Sequence, residues 1–471
     1  MIPIATTNPV TGQVLKTYEP MSDEQLDGAI DRADLAYQQL RGTTIDQRGS
    51  WLNAAADLLE AERDEIARLM TTEMGKTYAA AKAEVTKCAA ACRFYATHAA
   101  EFLADQPADA QAVSATRAFV RYQPIGPVLA VMPWNFPLWQ VLRFAAPALM
   151  AGNTGLLKHA SNVPQTALLL EDVFRRAGFP EGAFTTLLVG SEAVEKILGD
   201  PRVRAATLTG SEVAGRSIAQ IAGRELKKTV LELGGSDPFV VMPSADVELA
   251  AEVATTARCQ NNGQSCIAAK RFIVHADVYD AFAEAFAHRM SALRIGDPMQ
   301  DDTDVGPLAT ERGRDEVDAQ VRDAVDKGAT VLCGGEKPVG EGWFYPPTVV
   351  TDLDPGMRMW AEEVFGPVAG LYRVSSYDEA IELANGTAYG LGSNAWTRDP
   401  REQERFATDL EAGAVFVNGM TTSYPELPFG GVRNSGYGRE LAAQGMHEFC
   451  NTKTVWIGEG TATAGVGAHA E

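Results

Sequence analysis

PVLAVM (127–132), NTGLLKHA (153–160), AFTTLLVG (183–190), VRAATLTG (203–210) and TVLELGG (229–235) are short apolar runs of strand length. Among them lie TALLLEDVFRRAG (166–178), EAVEKILGD (192–200) and EVAGRSIAQIAGREL (212–226), whose apolar residues recur at helical spacing. Strands alternating with amphipathic helices predict an α/β fold with a parallel, doubly wound sheet of dinucleotide-binding type. No GxGxxG occurs in the stretch, so the alternation does not by itself identify a cofactor.

Downstream, PFVVM (238–242), RFIVHA (271–276), ATVLCGG (329–335) and AVFVNG (414–419) alternate with further helical segments, which predicts a second α/β domain between Pro238 and Gly430. Upstream, from Ser22 to His98, patterns such as LNAAADLLEAERDEIARLMTTEM (52–74) predict several amphipathic helices that cover a sheet. VSATRAFVRYQPIG (113–126) alternates apolar and polar residues, as an extended arm or hairpin would, and FCNTKTVWIG (449–458) alternates like an edge strand. The final GEGTATAGVGAHAE (458–471) is a low-complexity, disordered tail in this reading.

With 471 residues the chain is long enough for two or three domains and a buried site between them. Its 46% hydrophobic and 22% charged residues are those of a globular protein. A net charge of -21 argues against a nucleic-acid or anionic-membrane surface and for a small-molecule ligand. An anionic ligand would then need local positive charge, which makes an isolated Lys or Arg in an apolar stretch informative. The six cysteines form no CxxC pair, and MIPIATTNPVTGQ lacks the features of a signal peptide, so a cytoplasmic location is expected. The apolar region 125–150 carries Pro133, Asn135, Pro137, Gln140 and Arg143 in its middle and reads as buried core around a polar site, not as a membrane span. The six histidines form no HxH or HxxxH cluster, read mostly as surface or turn residues, and suggest no metal site.

Cys266, in CQNNGQSCIAAKR (259–271), follows a polar, Gly-containing turn between a helical segment and a strand. A thiol so placed can face a cleft and be activated by nearby N–H groups, although a lone Cys is more often structural. Three other segments change that balance: PWNFPLWQ (133–140), LELGGSDP (231–238) and EEVFGPV (362–368). With them the chain resembles the aldehyde dehydrogenase superfamily from NPVTGQVL (8–15) and EMGK (73–76) to PFGGVRNSGYGRE (428–440). The resemblance implies Cys266 as nucleophile, Glu232 as general base and Asn135 as oxyanion donor. It also implies a Rossmann-type cofactor domain at 1–106 and 127–233 and a catalytic thiol domain at 234–434. A small β oligomerisation arm would comprise 107–126 and 447–460, ahead of a tail at 461–471, in a homodimer or homotetramer.

By the same match Lys158 and Ser161 of LLKHAS would contact the adenosine ribose, and Gly210 and Ser211 would open the helix that receives the pyrophosphate. Trp134 and Leu233 would line the cofactor pocket, Glu363 would meet the nicotinamide ribose and Phe365 its ring. Members that prefer NAD usually carry Glu where Ser161 stands. Without that negative charge a 2′-phosphate would meet Lys158 unopposed, which favours NADP while leaving NAD possible; a short Ser can also simply cap a turn.

Arg143, within LWQVLRFAAP (138–147), needs a counter-charge from either a protein carboxylate or the substrate. It matches the substrate-binding Arg of the family's succinic semialdehyde dehydrogenases, bacterial members above all, so succinic semialdehyde is the implied substrate and Ser423 a further carboxylate contact. Two positions depart from the better-known members: Gln260 stands where they carry a second Arg, and Ala268 where they carry a second Cys. The competing readings are a dehydrogenase of other aldehydes using NAD, a coenzyme A-acylating relative, and a non-catalytic protein of the same fold. Acylating relatives generally lack the base at Glu232, and retention of Cys266, Glu232 and Asn135 together counts against a non-catalytic chain.

Overall fold

The computed structural model describes residues 3–460; the tail expected at 461–471 lies outside them. A hairpin of β1 (Ile4–Thr7) and β2 (Val14–Tyr18), which the sequence reading did not anticipate, precedes four helices: α1 (Asp23–Leu40), α2 (Ile45–Ala61), α3 (Arg63–Met74) and α4 (Tyr78–Phe102). Their starts follow from side chains that accept the otherwise unpaired first amides. Ser22 and Gln25 form a capping box on α1, while Thr44 and Thr77 cap α2 and α4.

Next come β3 (Gln106–Pro107), β4 (Arg117–Pro124), β5 (Pro127–Met132), α5 (Trp139–Ala151), β6 (Thr154–His159), α6 (Pro164–Arg176), β7 (Phe184–Thr186), α7 (Ala193–Gly199), β8 (Ala205–Thr209), α8 (Glu212–Arg224) and β9 (Lys228–Glu232). Strands β5 to β9 pair in parallel in the order β9-β8-β5-β6-β7. Both faces are covered, as an all-parallel sheet requires. Leu129, Leu156 and Leu208 pack with Leu26, Ile30 and Ala33 of α1, whereas the alternate residues Val128, Ala130 and Leu157 join the larger core built by α2 to α6. Helix α5 is buried along its whole length, and no described helix is long and apolar enough to cross a membrane.

The second sheet has seven strands: β10 (Asp237–Val241), β11 (Ala269–His275), β12 (Thr330–Cys333), β13 (Thr348–Thr351), β14 (Val368–Val374), β15 (Asn394–Trp396) and β16 (Phe416–Val417). Helix α9 (Val247–Cys259) runs from β10 towards the segment that carries Cys266. Two late strands return to earlier parts of the chain. β17 (Gly436–Tyr437) pairs antiparallel with β9, setting Gly436 opposite Glu232, and β18 (Cys450–Ile457) pairs antiparallel with β4 along its whole length. The segments expected to form an arm pair in the three-stranded sheet β18-β4-β3, of which β18 is one edge.

Candidate active site

The register of the parallel sheet places Val131 beside both Lys158 and Leu208, and Thr209 beside Glu232. Hence the loop after β5, Lys158 to Ser161, Gly210 and Ser211, and Glu232 all gather at the carboxyl edge of the strands. There the chain order changes direction between β5 and β8, the place where open α/β sheets bind ligands.

Asn135 sits in the loop between β5 and α5, and buried polar groups hold that loop from both sides. Glu84 of α4 accepts the amides of Leu138 (2.9 Å) and Trp139 (2.8 Å) with one oxygen and pairs with buried Lys76 through the other. The Lys76 ammonium stands 4.3 Å from the centre of the Phe136 ring. His159 is buried as well, contrary to the surface or turn position expected of most histidines. Its Nε2 donates to the Pro137 carbonyl (2.9 Å) and its Nδ1 accepts from the Ala160 amide (2.9 Å), a tautomer assigned from these partners. Burial pushes the imidazole down to about 4, so the ring is neutral.

On the other side, α9 ends in a tight turn where Asn261 (φ 54°), Asn262 (φ 57°) and Gly263 (φ 75°) are all left-handed. Asn enters this region more readily than most residues. The side chains of the turn hold it in place. Asn262 donates to the carbonyls of Gly75 (2.8 Å) and Pro307 (2.9 Å) and accepts from the Gly306 amide (2.9 Å). Asn261 donates to the Asn135 carbonyl (2.7 Å), tying the two loops together, and Asn135 Nδ2 donates to the Gln264 carbonyl (3.1 Å), two residues before Cys266. Lys270 donates to the carbonyls of Ser265 (3.0 Å) and Cys266 (2.6 Å) and pairs with Glu363 at 3.1 Å. The Glu232 strand passes directly behind this turn. A Cβ on Gly235 would lie 2.8 Å from the Cys266 carbonyl oxygen, so the approach requires glycine.

Burial pushes the Cys266 thiol up to about 12; Arg143 and Lys270 oppose the shift, while Glu363 and Glu232 add to it. Glu232 is raised well above the ordinary carboxylate range, first by burial and then by Glu440, against Arg143 and Arg439. Neither of its oxygens meets a protein donor. Burial thus raises both the thiol and the carboxyl at one place.

Two cavities of about 240 Å³ each meet at Cys266 and Gln140. One is bordered by Trp134, Asn135, Gly210, Ser211, Leu233, Glu363 and Phe365, so most of the expected cofactor residues share a single wall. Trp134 and Phe365 pack edge-to-face, 5.8 Å between ring centres, in the wall of that cavity. Ser211, which caps α8, borders the same space. Lys158 and Ser161 stand at the end of β6, outside this lining. Burial lowers the Lys158 ammonium against the attraction of Glu192, and the Ser161 carbonyl accepts the Ala5 amide of β1 (2.9 Å). With a helix N-terminus, a lysine and no carboxylate at position 161, this donor set fits a phosphorylated dinucleotide.

The other cavity is bordered by Gln260, Cys266, Arg143, Thr421, Ser423 and Phe429, with Lys87 and Trp139 of the helical layer. The sequence left two sources open for the Arg143 counter-charge. Arg143 does not wait for a substrate to supply its counter-charge; its Nε is paired with Glu440, both side chains being almost wholly buried. An uncompensated guanidinium in this apolar wall would be strongly unfavourable. The return of the chain at Phe429–Glu440, joined by two backbone hydrogen bonds of 2.7 Å, delivers the carboxylate. The guanidinium also lies 4.5 Å from the Phe429 ring centre and still borders the cavity. Ser423 is more than a turn residue, since its Oγ accepts from both Lys87 (2.9 Å) and Trp139 (3.0 Å). All six cysteines are free thiols, and Ala268 is buried. No group of three or more His, Cys, Asp or Glu among the described residues is arranged to hold a metal.

Glu84, Lys76, Asn261, Asn262, Lys270 and Lys87 went unassigned in the sequence. Lys76 closes the EMGK motif and Lys270 lies four residues after Cys266, but neither the burial of Lys76 against Glu84 nor the pairing of Lys270 with Glu363 shows in the local pattern.

The sequence model of the aldehyde dehydrogenase family matches residues 2–455. A protein of Mycolicibacterium paratuberculosis named succinate-semialdehyde dehydrogenase [NADP(+)] is 65% identical over 472 residues, covering 100% of both chains. A Mycobacterium tuberculosis protein of the same name, numbered 1, is 64% identical over 97% of this chain and 100% of its own. Among solved structures, a succinic semialdehyde dehydrogenase from Streptococcus pyogenes in complex with NADP+ superposes with a TM-score of 0.94 at 39% identity, over 96% of this chain and 99% of that one.

Proposed function

This chain belongs to the aldehyde dehydrogenase family, and on that premise we propose that it oxidises succinic semialdehyde to succinate with NADP+ through a thioester on Cys266. The observation that carries the reading is the position of Cys266 at the junction of two cavities, one bordered by Gly210, Ser211, Trp134, Glu363 and Phe365 and one with a cationic wall. Relatives at 64% and 65% identity that bear this activity in their names support the choice of substrate and cofactor.

In the proposed reaction the Cys266 sulfur attacks the aldehyde carbon while its proton passes to Glu232. A carboxylate whose pKa is raised by burial is the stronger base for this transfer. The oxyanion that forms is met by the second N–H of the Asn135 amide, whose first is already engaged by the Gln264 carbonyl, and by the Cys266 amide. NADP+, when bound, accepts the hydride that leaves the former aldehyde carbon. Glu232, having released the Cys266 proton to solvent, then takes a proton from the water that hydrolyses the thioester and gives it to the departing thiolate, which restores the free thiol.

Lys158 and Ser161 would hold the adenosine ribose and its 2′-phosphate, and Gly210 and Ser211 the pyrophosphate. Glu363, kept in place by Lys270, would take the nicotinamide ribose, with Trp134, Leu233 and Phe365 around the ring. Arg143 and Ser423 border the end of the cavity assigned to the substrate carboxylate. We assign 1–106 and 127–233 to cofactor binding and 234–434 to the thiol domain. The arm formed by 107–126 and 447–460 would pair two copies through the free edge of β18, in a cytoplasmic homodimer or homotetramer.

The test is NADPH formation with succinic semialdehyde against butyraldehyde, with NAD+ in parallel and Cys266→Ala as blank. Preference for succinic semialdehyde with NADP+ is expected. Equal turnover of butyraldehyde would remove the carboxylate from the reading, and no turnover of any aldehyde would remove the enzyme.

A further inference from the structure

The substrate-side cavity contains two cations, and they differ in how far their charge is already met. Arg143 is paired with Glu440. Lys87, on α4, enters no ion pair among the described residues. Its ammonium donates to Ser423 Oγ at 2.9 Å and stands 4.2 Å from the centre of the Trp139 ring. The nearest acidic residue along its own helix, Glu84, is already engaged by Lys76 and by the first amides of α5. Both π-face and hydroxyl are neutral partners, so Lys87 is a half-buried positive charge with N–H groups to spare at the wall of a cavity that leads to Cys266.

We propose that Lys87, together with the Ser423 hydroxyl it touches, anchors the distal carboxylate of the substrate and thereby selects an aldehyde that carries an acid over a neutral one. The inference rests on the proposed reading of this site and deepens it. A carboxylate entering here completes a charge-assisted pair that the resting protein lacks. Ser423, already accepting from Lys87 and Trp139, has its own proton left to donate to the same anion. Arg143, neutralised by Glu440, would then shape the wall and add little net charge.

Burial lowers the Lys87 ammonium to about 8, which gives a readout that needs no substitution. The charged or titratable groups around it are Glu84 and Cys88 on α4, Arg143 on α5 and Cys266 at the far end of the cavity; residues 421–423 contribute only hydroxyls. Titration of Cys266 or Glu232 acts on every aldehyde alike. Loss of the Lys87 proton would penalise only an acid-bearing one.

The experiment measures kcat and KM of the full-length protein with NADP+ for succinic semialdehyde and for butyraldehyde, in the natural chain, Lys87→Met and Lys87→Arg. The ratio of the two kcat/KM values should fall about 10- to 100-fold in Lys87→Met, mainly through KM for succinic semialdehyde, and recover in large part in Lys87→Arg. In the natural chain the ratio should fall as pH rises through about 8. A natural chain that favours succinic semialdehyde, with the ratio unmoved by Lys87→Met, would overturn the role of Lys87 and leave the substrate reading intact. No preference in the natural chain would overturn both. If Lys87→Met does not fold, the pH profile decides, and a flat ratio between about pH 7 and about pH 9.5 would overturn the proposal.

Discussion

The two cavities that meet at Cys266 are alike in size, about 240 Å³ each, and share Cys266 and Gln140, yet they present polarity differently. The wall proposed for the cofactor carries Gly210 and Ser211 ahead of α8, an aromatic pair, and Glu363, whose charge Lys270 already meets. The substrate-side wall is built from side-chain cations on α4 and α5, one paired and one open. Selection among aldehydes depends on a few side chains, and it falls to the wall whose composition can vary.

The loop 133–138 separates the cavities, and loosening it should damage both. Glu84→Ala would leave Lys76 buried without its partner and free the first amides of α5. A loss of about 3–5 kcal/mol in apparent stability is expected, read from urea unfolding, along with activity towards every aldehyde. Unchanged stability would mean that the clamp does not hold the partition. Asn135→Ala acts at the junction itself. It should lower kcat/KM about 10²- to 10³-fold for succinic semialdehyde and butyraldehyde equally, without changing the ratio that Lys87 governs.

The next effect belongs to the cofactor side. His159 is held neutral with its pKa down to about 4, below its ordinary value of 6.5. Between those values the unfolded chain binds a proton that the folded chain does not, so stability should fall as pH drops from 6.5 towards 4, by up to about 3 kcal/mol. His159→Gln, which does not titrate, should lose that part of the slope in urea unfolding measured across the same range. Ser161→Glu is the most local change. It should weaken NADP+ use about tenfold or more while sparing NAD+, and leave the aldehyde ratio untouched. If the aldehyde ratio moved as well, the two cavities would not be independent.

Much of this arrangement was legible before any coordinates. The strand and helix alternation from 127 to 235 corresponds to β5 through β9 and their helices, because each apolar run had one length and one period. The motifs around Asn135, Glu232, Cys266 and Glu363 converge on one place, as their resemblance to the family implied. What could not be read was pairing between distant residues. Arg143 announced a need for a counter-charge, but nothing local pointed to Glu440, almost three hundred residues later. The turn at Asn261 to Gly263 read only as polar, since its left-handed backbone depends on Gly75, Gly306 and Pro307 for support. Lys87 was within reach of the argument used for Arg143. It stands in the Ala- and Cys-rich run TKCAAAC, where its amphipathic helix disguised it as solvent-facing.

The most direct test of the central claim is to mix Glu232→Gln with succinic semialdehyde and NADP+, quench in acid, and weigh the intact chain before mapping its peptides. The expected result is NADPH formation that is slowed by loss of the base and stops near one per chain, with a succinyl group accumulating on the Cys266 peptide as hydrolysis fails. Rapid NADPH formation with no acyl group on the protein, or an acyl group on a residue other than Cys266, would contradict it.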